Sequence, residues 1–157
     1  VFQPCCGKTL CVGCIHTQRK KDPFVRCAFC RTPGATTDRE LIDRMNKGRD
    51  RNDGESTYQL GLCYKDGSTG LQKDSAKALE LFLEAGKHGC ADAYYAVGNF
   101  YYDGLGVEKD MKRAKYYWEL GAVGGTIFAR YSLGCFEVKS GNYERANKHF
   151  FIGAKAG

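Results

Sequence analysis

Proline is scarce in this sequence, three residues in 157 beside twenty glycines. With 43% hydrophobic and 27% charged residues, the balance excludes a collagen-like or wholly disordered chain and fits one or two folded domains. No apolar run approaches the roughly 18 residues that a membrane-spanning helix needs, and no stretch has the pattern of a secretory leader. A phosphate-binding loop, a His-Glu-x-x-His pair and a nucleophile elbow are also missing. Gly104-Leu105-Gly106 follows a helical pattern rather than a strand, which argues against a nucleotide loop. The net charge is only +6. Arg19, Lys20, Lys21 and Arg26 form a basic cluster that could track phosphates, but no base-reading helix accompanies it, so nucleic acid is a disfavoured partner.

What is abundant is unevenly spread. Residues 1–50 hold six of the nine cysteines, ten Lys/Arg and five Asp/Glu, a formal +5. Residues 51–157 hold three cysteines, fourteen Lys/Arg and thirteen Asp/Glu, a formal +1. Two modules with different physics share the chain. The three later cysteines, Cys63, Cys90 and Cys135, fall at unrelated places and read as reduced thiols. That fits an intracellular setting, cytoplasmic or nuclear.

The second module repeats. Leu60-Gly61, Val97-Gly98 and Leu133-Gly134 recur at spacings of 37 and 36 residues. Lys77-Ala78, Arg113-Ala114 and Arg145-Ala146 recur as well, each followed four residues after its alanine by Phe82, Trp118 or Phe150. A period in the thirties marks a helical solenoid. In the second unit Ala93, Val97 and Tyr101 make one stripe of a helix, Gly104 and Gly106 interrupt it, and Asp110 sits where the next helix would be capped. Gly61, Gly98 and Gly134 each lower helix propensity by about 1 kcal/mol, so close approach of two helix backbones is expected there. Tyr64, Tyr101, Phe82, Trp118 and Phe150 read as core, and His88 and His149 as surface. The third unit departs from the pattern: Glu137 replaces the tyrosine of the other two, and the Gly-x-Gly loop is gone.

These motifs resemble the Sel1-like repeat family, relatives of the tetratricopeptide repeats. Ala93, Val97-Gly98, Tyr101, Gly104, Gly106-Val107, Asp110, Arg113-Ala114, Trp118 and Gly121-Ala122 match its pattern nearly throughout. The resemblance implies a mostly α fold of three helix pairs, 54–90, 91–126 and 127–157, used as a protein-binding scaffold without chemistry of its own. The first helices of such solenoids line the concave face. By register the outward positions there include Tyr58, Lys65, Tyr95, Asn99, Tyr102 and Tyr131, and aromatics of this kind suit protein recognition.

In the first module Cys11-Val12-Gly13-Cys14 and Cys27-Ala28-Phe29-Cys30 are two Cys-x2-Cys pairs twelve residues apart, preceded by Cys5-Cys6. Thiolates at such spacing wrap a tetrahedral zinc ion, with iron–sulfur a lesser option. Residues 1–34 resemble the latter part of a RING finger, which holds two zinc ions in a cross-brace. The resemblance implies Cys5, Cys6, Cys27 and Cys30 as one four-thiolate site and Cys11 and Cys14 as half of another, its remaining pair expected upstream of Val1. A single ion held by Cys11, Cys14, Cys27 and Cys30 stays open. RING domains recruit a ubiquitin-conjugating enzyme, and Arg31 and Pro33 match the family's contact residues after the last ligand. Ala28 departs from the usual proline between the last two ligands.

Residues 35–53 read as a short helical linker, with Asp38 as a candidate cap. Joined, the modules suggest a scaffold that brings a conjugating enzyme to a substrate held on the concave face. A non-enzymatic zinc-containing adaptor is the alternative.

Overall fold

The computed structural model describes residues 2–3, 8–9 and 32–156. Two short strands, β1 (Phe2–Gln3) and β2 (Lys8–Thr9), pair antiparallel with Phe2 opposite Thr9 and Gln3 opposite Lys8. The rest of the described chain is helical. A lead helix α1 (Asp38–Arg49) precedes three helix pairs: α2 (Gly54–Asp66) with α3 (Ser75–Lys87), α4 (Ala91–Asp103) with α5 (Met111–Val123), and α6 (Ile127–Lys139) with α7 (Tyr143–Ala156). Among the described residues no helix is long and apolar enough to cross a membrane.

Local chemistry sets the helix ends. Asp74 accepts from the Lys77 backbone N–H at 2.9 Å, and Asp110 accepts from those of Lys112 and Arg113 at 2.9 and 3.0 Å, so both second helices begin on an aspartate cap. The first helices of the first two pairs stop at Gly67 and Gly104. These adopt φ of +68° and +76°, a left-handed conformation that costs glycine little. At the start of α1 the cap differs from the sequence expectation. Thr37, not Asp38, is extended and accepts from the Glu40 N–H at 3.1 Å, while the Glu40 carboxylate accepts from the Thr36 N–H at 3.0 Å. Both ends of a Thr-x-x-Glu pattern are thereby used, and Asp38 becomes the first helical residue.

The three repeated glycines face rings rather than backbone. A Cβ on Gly61 would lie 2.7 Å from Phe82 Cε1, one on Gly98 2.5 Å from Trp118 Nε1, and one on Gly134 2.7 Å from Phe150 Cδ1. Each first helix therefore leaves a notch for the aromatic ring of its own second helix. Burying a ring of this size contributes about 1.5–3 kcal/mol, which outweighs the roughly 1 kcal/mol of propensity lost at the glycine.

Successive pairs then stack. Phe82 meets Phe100 edge-on at 5.5 Å, Gly86 lies against the Tyr94 ring, Gly121 lies against Thr126 and Ala129, and Tyr95 stacks on Phe128 at 5.8 Å. The core runs as one cluster through all three pairs. A smaller cluster of Met45, Leu60, Cys63 and Leu81, flanked by Leu41 and Ile42, fastens α1 to the first pair. Arg49 ion-pairs with Glu84 at 2.8 Å, and Arg44 donates to the Pro33 carbonyl at 2.6 Å. The linker helix is thus part of the helical stack.

Glu137 occupies the place held by Tyr64 and Tyr101 in the other units. Its side chain is buried (2% exposed) and accepts from Lys115 Nζ and from Asn142 Nδ2, each at 2.8 Å. The Lys115 hydrogen bond, then that of Asn142, holds the carboxyl below its usual pKa. His149, expected at the surface, is half-buried with Nδ1 unpartnered, and burial lowers its pKa.

Candidate protein-binding face

First helices of adjacent pairs lie side by side and leave a groove at each junction. One, between α2 and α4, has a volume of about 270 Å³ and is lined by Lys65, Asp66, Lys73, Asn99, Phe100 and Asp103 among others. The other, between α4 and α6, has a volume of about 310 Å³, with Trp118 and Phe136 among its aromatic lining and Tyr102 and Tyr131 beside them. The two are repeat equivalents: Lys65 corresponds to Tyr102, Asp66 to Asp103, and Phe100 to Phe136.

Trp118 is 3% exposed and fixed on two sides. Gly98 admits its ring, and its indole N–H donates to Asn99 Oδ1 at 3.0 Å. Tyr102 tilts against the indole at 5.4 Å. Its hydroxyl accepts from Lys139 Nζ at 2.6 Å, and that hydrogen bond raises the lysine pKa, so the ammonium stays charged. Lys109 also approaches the Tyr102 ring, 5.3 Å from its centre. Tyr131 is 65% exposed and leans on Phe150 at 5.7 Å. The surface combines a fixed aromatic wall with cationic side chains at its rim, a composition suited to gripping a polypeptide.

Of the outward residues read from the repeat register, the structure brings Asn99, Tyr102 and Tyr131 into one groove and Lys65 into the other, which shares Asn99. Tyr58 and Tyr95 lie elsewhere. They hold the same repeat position as Tyr131, yet each is half-buried: Tyr58 packs on Phe82 at 5.5 Å, and Tyr95 on Phe128. Burial pushes the Tyr58 pKa up, with Asp92 of the following helix adding to the shift. Residues missed by the register argument are Trp118, Phe136, Lys109 and Lys139. One signal for Lys139 was present: at its position the first two units carry Asp66 and Asp103, so the third reverses the charge.

Family comparison matches residues 54–90 and 91–123 to the Sel1 repeat. Those two helix pairs are Sel1 repeats. The crystal structure of a Sel1 repeat protein from Oxalobacter formigenes shares the solenoid fold with a TM-score of 0.70 and 29% identity, covering 76% of this chain and 50% of that one. A protective antigen of uropathogenic Escherichia coli strains displaying an SLR fold gives a TM-score of 0.69 at 19% identity, over 95% of this chain and 34% of its own. HRD3B of Arabidopsis thaliana, an ERAD-associated E3 ubiquitin-protein ligase component, is 31% identical over 93 residues, 59% of this chain and 14% of that protein. The chain thus spans half or less of each of these relatives. Sel1 repeats are protein-interaction scaffolds, and the grooves between α2, α4 and α6 are shaped surface on this chain.

The expected zinc ligands Cys5, Cys6, Cys11, Cys14, Cys27 and Cys30, and with them Arg31, lie outside the described residues. Pro33 is described, exposed, and tied through its carbonyl to Arg44 of α1. Among the described residues no cluster of three His, Cys, Asp or Glu could hold a metal ion.

Proposed function

We propose that this chain is a recruiting scaffold in ubiquitin transfer: the Sel1 face holds a partner protein, and residues 1–34, as a RING-like module, engage a ubiquitin-conjugating enzyme. The observation that carries this reading is the pairing, on one chain, of two Cys-x2-Cys pairs followed by Arg31 with a repeat block similar to a ubiquitin-ligase component. All the candidate metal donors are sulfur, a set that suits zinc. The ion would hold the small module folded, since a core of that size lacks enough apolar burial by itself. No cysteine is assigned a nucleophilic role. Arg31 would bridge the conjugating enzyme and ubiquitin, its guanidinium offering a rigid fork of donors and a permanent charge.

The test compares Arg31→Ala with Cys27→Ala in a chain extended to include any upstream cysteine pair. Arg31→Ala is expected to keep zinc and fold while slowing discharge of ubiquitin from a charged conjugating enzyme. Cys27→Ala is expected to release zinc and lose activity with the fold. Ala28, which stands where the RING groove commonly has proline, favours a second reading, a zinc-containing adaptor without ligase activity. Zinc-loaded protein that accelerates no member of a conjugating-enzyme panel would establish that second reading.

A further inference from the structure

The two grooves have the same architecture and different electrostatics. At the α2–α4 groove, Lys65 and Lys73 are balanced by Asp66 and Asp103, and Lys65 is ion-paired with Asp66 at 3.4 Å. At the α4–α6 groove the position of the second acid is taken by Lys139. Lys139 and Lys109 both bring their ammonium groups to about the same distance from the Tyr102 ring, 5.2 and 5.3 Å from its centre. Among the described residues neither is in an ion pair, although Asp103 lines the same groove. An ammonium group has three donors, and Tyr102 occupies one on Lys139. Lys139 thus lines an apolar recess whose wall, Trp118, is fixed by Gly98 and Asn99, and Lys109 adds a second cation without an ion-pair partner at the Tyr102 ring on its rim.

We propose that the groove between α4 and α6 binds an extended segment of a partner protein that carries an aspartate or glutamate beside a large apolar residue. The inference rests on the scaffold reading above and adds the chemistry of the partner. The apolar side chain enters the recess between Trp118, Phe136 and Tyr131. Its volume, about 310 Å³, is at the small end for ligand pockets and suits one or two side chains rather than a whole cofactor. The carboxylate meets Lys109 and Lys139. Asp103 orders the arrangement, because it repels an acid placed toward the α2–α4 side and so fixes which way the segment runs. The same carboxylate, with Asp66 in the adjoining groove, works against a nucleic acid, whose evenly spaced phosphates would cross both.

The test is selection of random twelve-residue peptides displayed on phage against the whole chain, followed by fluorescence anisotropy with the synthetic winner. Enrichment of Asp or Glu next to Leu, Phe or Trp is expected. Affinity is expected to fall about thirtyfold in the Lys109→Glu/Lys139→Glu variant, the loss of two exposed ion pairs near the upper end of their usual strength. Both lysines are exposed, so an unchanged melting curve verifies that the variant is folded. A Lys87→Glu/Lys112→Glu control, at exposed positions outside both grooves, should leave affinity within about twofold. Peptides that enrich without acidic bias, or bind the charge-reversed protein equally well, would overturn the acidic preference and leave the scaffold reading standing. Absence of any enriched peptide would overturn both. Tighter binding of a twelve-nucleotide polyuridine than of the selected peptide would replace the peptide with RNA.

Discussion

Trp118 fills the space that any side chain on Gly98 would need. The same arrangement holds Phe82 against Gly61 and Phe150 against Gly134. Trp118 alone also donates to a neighbour on the first helix, Asn99, and lines a groove, so its notch serves both the packing of the unit and the shape of the surface.

Gly98→Ala is expected to destabilise the protein by about 1–3 kcal/mol, because its methyl group lands on the indole. Trp118→Leu is also expected to destabilise, through lost burial and a cavity. The double variant should be more stable than the sum of the two losses predicts, by at least about 0.5 kcal/mol, since the smaller side chain leaves room for the methyl. Urea denaturation of the four proteins measures this. Strictly additive losses would separate the two positions energetically and contradict the notch.

A second expectation concerns acid. Glu137 has a lowered pKa in the folded state, chiefly from the Lys115 hydrogen bond. A depressed carboxyl stabilises the fold above its unfolded value, about 4.3, and that stabilisation disappears as pH falls through the folded value. Glu137→Gln is therefore expected to be less stable than the parent at pH 7 by about 1–3 kcal/mol, leaving Lys115 without its counter-charge. The gap should shrink steadily between pH 5 and pH 3. Glu40 and Glu144 also have lowered values, but they are common to both proteins and cancel in the difference. A gap that stays constant over that range would assign the stabilisation to packing instead.

Cys90 is buried, and desolvation pushes its thiol up to about 12. Reaction requires the thiolate. Iodoacetamide at pH 8 is therefore expected to label Cys90 on the order of a hundredfold more slowly than Cys135, which is partly exposed in the α4–α6 groove. Peptide mapping by mass spectrometry reads the two rates separately. Equal rates in folded protein would show that the α3–α4 junction opens far more readily than its packing implies.

The repeat spacing made the helix pairs legible, because Leu-Gly, Lys/Arg-Ala and the aromatic position return in a fixed order. The reason for the glycines was less so. A small residue in a helix signals close approach, but only coordinates distinguish a neighbouring backbone from a ring. At α1 both Thr37 and Asp38 could cap, and the choice fell to the residue whose spacing lets Glu40 close back on Thr36. Register likewise placed Tyr58, Tyr95 and Tyr131 on one line without showing that a following helix covers the first two. The repeat position of Trp118 points to the core, and it is buried; that its ring also lines the groove depends on the gap between α4 and α6, which no single repeat encodes.

Stacked helix pairs behave nearly as a one-dimensional array, in which stability is a sum of local contributions and couplings between neighbours. The first and second pairs are joined by apolar contacts, Phe82 on Phe100 and Tyr94 on Gly86, and these hardly respond to pH. The joint between the second and third adds an ion pair, Lys115 with Glu137, to the contact of Tyr95 with Phe128. Acid weakens that coupling selectively, so the length over which unfolding stays cooperative depends on the solution. Protonation of Glu137 therefore weakens the joint between the second and third pairs more than the joint before it. The α4–α6 groove straddles this joint, so its shape depends on the same coupling.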